Sequence, residues 1–208
     1  MTQRWLELLI LFLVPPFVLA VFLPPSAIYP VLIGGGVLGA ILLHITNGFQ
    51  WRQLWQGPIR WAWVLWVSLA TLAVSLLLCW WILPDRVLFL PLNVPHFLPV
   101  LAVGYTFILA LPQEIIYRAL FFERYGHLFP DERIAILVNA AIFSFGHLMY
   151  WHWVVMVMTF FGGIIFAWCY LRGSFKEAWL VHAGAGLMVF FSGLGWLFYH
   201  GGNLAQGQ

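Results

Sequence analysis

Charged side chains are scarce in this sequence. Of its 208 residues, 63% are hydrophobic and only 8% are Asp, Glu, Lys or Arg. A soluble domain needs roughly 25–35% charged residues on its surface, so this composition excludes an ordinary soluble fold. The mean hydropathy of +0.95 indicates the same. The chain is therefore predicted to be an all-α, multi-pass membrane protein, in which each spanning helix takes about 20 apolar residues.

Cysteine pairs and basic clusters are also missing. The two cysteines, Cys79 and Cys169, lie in apolar runs without the spacing of a metal site or disulfide framework, so they are predicted to be buried thiols. The net charge is only +2, and no basic run could neutralise phosphates. This excludes nucleic acid as a partner. The lipid bilayer is the partner that the composition predicts.

Apolar runs of spanning length predict a single domain over residues 1–208 with about seven transmembrane helices, within a range of six to eight. The runs end at charged or Pro/Gly-rich breaks. A short surface helix is expected within 50–60, and the proline-rich segment 84–95 is expected to be a loop. The predicted spans are 5–23, 27–44, 61–83, 97–122, 134–150, 152–171 and 178–199.

Basic residues fall mainly on one side when the predicted loops alternate across the bilayer. Arg86 stands alone on the other side. The positive-inside rule therefore predicts a cytoplasmic N-terminus and, with seven spans, an external C-terminus. With its short loops, the pattern is typical of a bacterial inner membrane protein. The residues on the predicted cytoplasmic side are Arg4, Arg52, Arg60, Arg124, Arg133, Arg172 and Lys176.

Ionisable residues inside the predicted spans are the most informative positions, because each costs several kcal/mol unless it is paired or hydrated. Glu114 and Arg118 are four residues apart, so they share a helix face and can neutralise each other. A purely structural buried pair is one interpretation. Gln113 lies about 100° around the helix from Glu114. It follows Pro112, whose ring disturbs the hydrogen-bond ladder and can open a polar pocket.

Two histidines at membrane depth extend this set. Asn139, Phe143 and His147 recur every four residues and form one stripe, while His182 lies in the last predicted span. Either histidine alone would more often be a satisfied core residue. Together with Glu114 they indicate a hydrolytic site, because a glutamate and a histidine can activate water and a second histidine can stabilise an oxyanion.

Zinc is an open alternative at this stage. Two histidines and a carboxylate form a known catalytic ligand set. The HExxH spacing is absent, however, and the groups come from three separate predicted helices. No cofactor is predicted, and the sequence does not decide the metal question.

Three motifs in order resemble the CPBP group, also called the CAAX-processing or Abi family of intramembrane endopeptidases, which is of the glutamic type. The E-E-x-x-x-R motif is matched, except at its first position, by Gln113 to Arg118. The F-x-x-x-H motif is matched by Phe143 to His147. The third motif, a histidine followed four residues later by Asn or Asp, is matched at His182 alone.

The resemblance covers 112–186 and implies an all-helical endopeptidase. Its expected reaction is cleavage near the membrane-proximal C-terminus of a membrane-anchored or sorting-signal substrate. The first-motif glutamate and His147 would activate water, and His182 would help to hold the oxyanion. Glu114 and Arg118 would complete the catalytic set. Tyr117, Phe143 and Asn139 would line the pocket or support the oxyanion.

Two positions depart from the motifs. Gln113 stands where the first glutamate is expected, and an amide cannot take a proton at neutral pH. The hypotheses are an engineered Glu-to-Gln inactive form, a natural pseudoenzyme, or use of Glu114 as the base. Gly186 removes the expected amide, and Asn139 is a hypothetical replacement donor.

Other functions compete with the enzyme. A proteolytically silent membrane scaffold or binding protein would also explain Gln113 and Gly186. A small proton-relaying transporter is a third interpretation, although the sequence shows no internal repeat. For the enzyme, a sorting-signal or peptide-maturation substrate is favoured over a prenylated one, because a bacterial chain has no obvious prenyl substrate.

Overall fold

The computed structural model describes residues 2–198, which form helices and no strand. The predicted all-α bundle is thus confirmed, while the C-terminus lies outside the described residues. The helices are α1 (Thr2–Phe22), α2 (Ile28–His44), α3 (Trp51–Leu54), α4 (Trp61–Ile82), α5 (Phe89–Asn93), α6 (Pro95–Leu128), α7 (Glu132–Phe145), α8 (Trp153–Arg172) and α9 (Phe175–Ser192).

Six of the described helical segments are long and apolar enough to cross a membrane. They contain α1, α2, α4, α6, α7 and α8, in agreement with the predicted multi-pass protein. The seventh predicted span corresponds to α9, which is 18 residues long and carries Lys176, Glu177 and His182. Its charged first turn makes it more polar than the others.

Several helix boundaries differ from the sequence prediction. Helix α6 runs to Leu128 instead of residue 122, and α9 ends at Ser192 instead of residue 199. The segment 84–95 is not all loop, because it contains α5. Helix α7 ends at Phe145 instead of residue 150, and the chain then turns through Gly146. Helix α9 begins three residues earlier than predicted, because the Ser174 hydroxyl caps its first turn by accepting from the Glu177 N–H.

Helix α6 has an unusual winding. Its segments Tyr105–Ala110 and Ile115–Tyr125 are π-helical, and Leu111–Glu114 between them is α-helical. Pro112 lies in the middle segment and has no N–H to donate. The predicted disturbance at Pro112 is therefore present as a change of winding. It lies at the depth of Gln113 and Glu114.

Close helix contacts place α9 and α7 at the centre of the bundle. Helix α9 packs mainly against α4, and also against α8 and α6, while α7 packs against α8. At the α7–α8 contact the backbones nearly touch, since a side chain on Gly163 would begin 2.8 Å from the Ala140 Cα. Small residues allow such close approach between membrane helices.

Ion pairs gather at one end of the bundle. Arg124 of α6 donates to Glu7 of α1 at 2.7 Å. Arg60 binds Glu177 at the start of α9. At the opposite end Arg86 lies over the Trp196 ring, 3.9 Å from its centroid. This separation of charge agrees with the predicted loop assignment, while the side of the membrane that each end faces stays a prediction.

We expect Gly163→Ala to lower the melting temperature of the detergent-solubilised protein. The added methyl group would push α7 and α8 apart, and overpacking of this kind costs about 1–3 kcal/mol. Gly34→Ala is the matched control, because no atom lies within 4 Å of the position where its side chain would begin. Equal melting temperatures for the two variants would contradict the close α7–α8 contact.

Candidate active site

Glu114 and His182 meet in the interior, where α6 crosses α9. The His182 Nδ1 lies 2.9 Å from the Glu114 Oε1. Glu114 is completely buried, and His182 is 4% exposed. Since a carboxylate only accepts hydrogen bonds, the His182 Nδ1–H donates and its Nε2 is left for other contacts. The arrangement is that of a carboxylate that orients an imidazole.

Arg118 balances the charge of Glu114. Its Nε lies 3.6 Å from the Glu114 Oε2, and both side chains are fully buried. The predicted pair one helical turn apart is therefore present. The guanidinium also lies over the Phe143 ring, 4.7 Å from its centroid. Aromatic faces attract such a cation where water is excluded.

Asn139 of α7 holds Arg118 from another side. The Arg118 Nη1 donates to the Asn139 Oδ1 at 2.5 Å, and the Asn139 Nδ2 donates to the Tyr117 carbonyl at 2.5 Å. Asn139 is fully buried and lines neither of the cavities described below. In this geometry the Asn139 amide positions Arg118 and α6, and its role as an oxyanion donor stays a prediction.

His147 lies just beyond the end of α7. Its Nδ1 lies 2.8 Å from the Phe143 carbonyl oxygen. A carbonyl can only accept, so Nδ1 carries the proton and the lone pair of the neutral ring is on Nε2. The Phe143 ring lies between the two histidines, with centroid distances of 4.7 Å to His147 and 5.5 Å to His182.

Two cavities meet at Gln113 and His147. The larger, of about 730 Å³, lies among α4, α6, α8 and α9 and also borders His182 and Phe143. The smaller, of about 130 Å³, lies between α1 and α2 and also borders Tyr117. Gln113 and His147 line both. Within residues 2–198, the buried Gln113 Oε1 has no hydrogen-bond partner.

The predicted site residues thus separate into two groups. Glu114, Arg118 and Asn139 are fully buried and do not line either cavity. Gln113, His147, His182, Phe143 and Tyr117 line one or both cavities. Neighbouring positions 113 and 114 point into different surroundings, as their angular separation on the helix predicted.

Sequence reasoning missed two tyrosines that border the larger cavity, Tyr105 and Tyr150. Neither belongs to a motif, and both lie in apolar runs where an aromatic residue is ordinarily packing. The one available signal was Gly186, because a missing polar side chain next to a candidate catalytic histidine leaves space that another residue can fill.

A metal would need ligands that converge. Among residues 2–198, no group of three His, Cys, Asp or Glu side chains is arranged to hold an ion. Glu114 and His182 are in contact, but the Nδ1 of His147 is directed to a backbone carbonyl of its own helix. Within residues 2–198, the two histidines and the carboxylate that left zinc open as an alternative are therefore not gathered into one group, and the metal question stays open.

We expect Glu114→Gln to lower the free energy of unfolding in detergent. The substitution leaves the buried Arg118 without its counter-charge, and breaking a buried ion pair costs about 3–5 kcal/mol. The control is Glu123→Gln, since Glu123 is exposed and accepts from Tyr170 near the charged end. An exposed interaction is worth less than about 1 kcal/mol. Equal losses would contradict the central role assigned to Glu114.

Comparison with known families adds one match. The family model described as Type II CAAX prenyl endopeptidase Rce1-like matches residues 95–188. No curated protein and no solved structure shows significant similarity to the chain. The match covers α6, α7, α8 and most of α9, and so includes every residue of the two groups above. Residues 95–188 are therefore similar to the Rce1-like family of Type II CAAX prenyl endopeptidases.

Proposed function

We propose that this chain binds an apolar, membrane-anchored protein segment in its larger cavity, at a site built for peptide-bond hydrolysis by water held between position 113 and His147. The observation that carries the proposal is that Gln113 and His147 line both cavities. Glu114, the neighbouring carboxylate, is completely buried and bound to His182 and Arg118. Water in the cavity would therefore contact position 113 rather than Glu114.

The reaction would consume one water and break one C–N bond. The water oxygen attacks the peptide carbonyl carbon, while its proton passes to the His147 Nε2 or, where position 113 is a glutamate, to that carboxylate. The carbonyl oxygen becomes an oxyanion, which the cavity-facing side of His182 can stabilise. Collapse of the tetrahedral intermediate breaks the C–N bond and returns the proton to the leaving amine. The products are a carboxylate and an amine.

Gln113 limits the proton transfer that the site can perform. Its amide can hold a water by hydrogen bonding, but it cannot accept the proton. His147 is then the remaining base, and its lone pair on Nε2 is available because Nδ1 donates to the Phe143 carbonyl. Hydrolysis by the chain as it stands is therefore expected to be slow. The same amide would not prevent substrate binding.

The walls of the larger cavity support an apolar substrate. Among residues 2–198, no Asp, Glu, Lys or Arg side chain lines it, and the side facing α4 and α8 consists mainly of aliphatic and aromatic groups. These two helices touch through Trp63 and Trp168, whose rings are 5.3 Å apart. Farther along, the cavity-lining residues Trp66 and Phe161 are 68% and 60% exposed. A membrane-anchored segment could enter from the lipid between them.

The sidedness of the site follows from the positive-inside rule. The end that carries Arg4, Arg60, Arg124 and Arg172 would face the cytoplasm, in a bacterial inner membrane. The cleaved bond would then lie inside the bilayer, near the end of the substrate segment. Sorting-signal or peptide-precursor proteins are the substrate classes that fit this proposal.

A second candidate function is a membrane scaffold that binds the same segment and does not cleave it. Gln113 favours this function, because it removes the strongest candidate base from the site. The two functions share the cavity and differ only in chemistry. They are separated by what happens when the carboxylate is introduced.

We expect Gln113→Glu to raise kcat for hydrolysis of an apolar peptide in detergent micelles by about 10²–10⁴-fold, the usual contribution of a positioned general base. Product formation is measured by mass spectrometry under single-turnover and multiple-turnover conditions. The added substitution His147→Ala should return the rate to that of the starting chain or below.

Gln56→Glu is the matched control, because it makes the same chemical change at an exposed position outside the cavities. It should leave the rate unchanged. A Gln113→Glu protein that keeps its melting temperature and binds the peptide but gains no hydrolysis would contradict the enzyme proposal and support the scaffold.

A further inference from the structure

Gly186 has an unusual position next to the candidate site. It follows His182 by four residues, so a side chain at 186 would stand on the same face of α9 as the imidazole. That space is already occupied by Tyr105 of α6. A side chain at 186 would overlap the Tyr105 hydroxyl oxygen and the adjoining ring carbons.

Tyr105 is held by aromatic contacts on both sides. Its ring meets the His182 ring edge-on, with centroids 6.2 Å apart, and meets Phe190 with centroids 5.6 Å apart. A ring fixed in this way points its hydroxyl in one direction. The residue lines the larger cavity together with Gln113 and His147.

The hydroxyl group is free to serve a bound molecule. No hydrogen bond joins it to another residue within 2–198. A phenol can donate one hydrogen bond, and Tyr105 borders the larger cavity, where a ligand or water can accept it. The peptide carbonyl oxygen of a substrate seated beside His182 is an acceptor of the right kind, and it becomes a stronger one as an oxyanion.

We propose that Tyr105 is a catalytic residue whose hydroxyl donates a hydrogen bond to the carbonyl oxygen of the bound peptide, beside His182, in the space that Gly186 leaves open. This inference rests on the proposed function and adds the group that completes its oxyanion site. Gly186 is then required by the tyrosine, because any larger residue at 186 would displace the donor.

Tyr105→Phe in the Gln113→Glu background tests the donor, because it removes only the hydroxyl and keeps the ring contacts. We expect kcat to fall by about 10²–10³-fold, as for loss of one oxyanion donor, with KM little changed. Tyr170→Phe is the control, since its hydroxyl binds Glu123 near the charged end, and it should keep full activity. An unchanged kcat in Tyr105→Phe would overturn the inference.

Exchange of the two residues gives an independent test. Gly186→Asn alone should inactivate the protein, because the new side chain collides with Tyr105. The double variant Tyr105→Ala/Gly186→Asn, also in the Gln113→Glu background, removes the collision and lets the new amide at position 186 donate in place of the hydroxyl. Its kcat should therefore be higher than that of Tyr105→Ala in the same background. A double variant no more active than Tyr105→Ala would overturn the inference that the two positions share one role.

Binding keeps the inference testable if Gln113→Glu gains no hydrolysis. The probes are an apolar peptide and its phosphonamidate analogue, which carries a tetrahedral oxyanion, measured on the unmodified chain. Tyr105→Phe should weaken the analogue at least about 10-fold, the loss of roughly 1.4 kcal/mol, and leave the peptide unchanged. Equal weakening of both would overturn the Tyr105 inference alone. If neither the peptide nor the analogue binds the unmodified chain, the proposed function and the Tyr105 inference are both overturned.

Discussion

Burial of the Arg118 charge is the constraint on which the rest of the structure depends. A guanidinium with no exposed surface must find its counter-charge and acceptors inside the bundle. Glu114 supplies the charge from the same helix, and Asn139 supplies an acceptor from α7. Glu114 in turn accepts from His182 of α9. One buried charge therefore fixes the relative rotation of three helices, and it does so at the depth where the cavities meet.

The same network gives the neighbouring positions 114 and 113 different roles. Glu114 has its two oxygens directed to His182 and Arg118, so it orients the imidazole from behind and does not face the cavity. The adjacent Gln113 lines both cavities, as does His147. A chain with glutamine at this position retains the shape, the apolar walls and the oriented histidines of the proposed hydrolytic site. What it lacks is a carboxylate where the water would be held.

Much of this arrangement was predictable from particular residues. Scarce charge made Glu114, Arg118, His147 and His182 conspicuous, and the four-residue spacing of Glu114 and Arg118 predicted their pairing. Periodicity gives the face of a helix but not its neighbour, so it could not predict that Asn139 would bind Arg118. The early end of α7 and the π-helical winding of α6 depend on packing between helices. Tyr105 was missed for the same reason, since only the fold brings it over Gly186.

The most direct test of hydrolysis at position 113 and His147 is a comparison of protein ends in living membranes. Cells that express Gln113→Glu are compared by mass spectrometry with cells that express Gln113→Glu/His147→Ala at the same level. We predict new C-termini within apolar, membrane-adjoining segments in the first cells and their absence in the second. Identical sets of C-termini in both would contradict a water-activating site at these two residues.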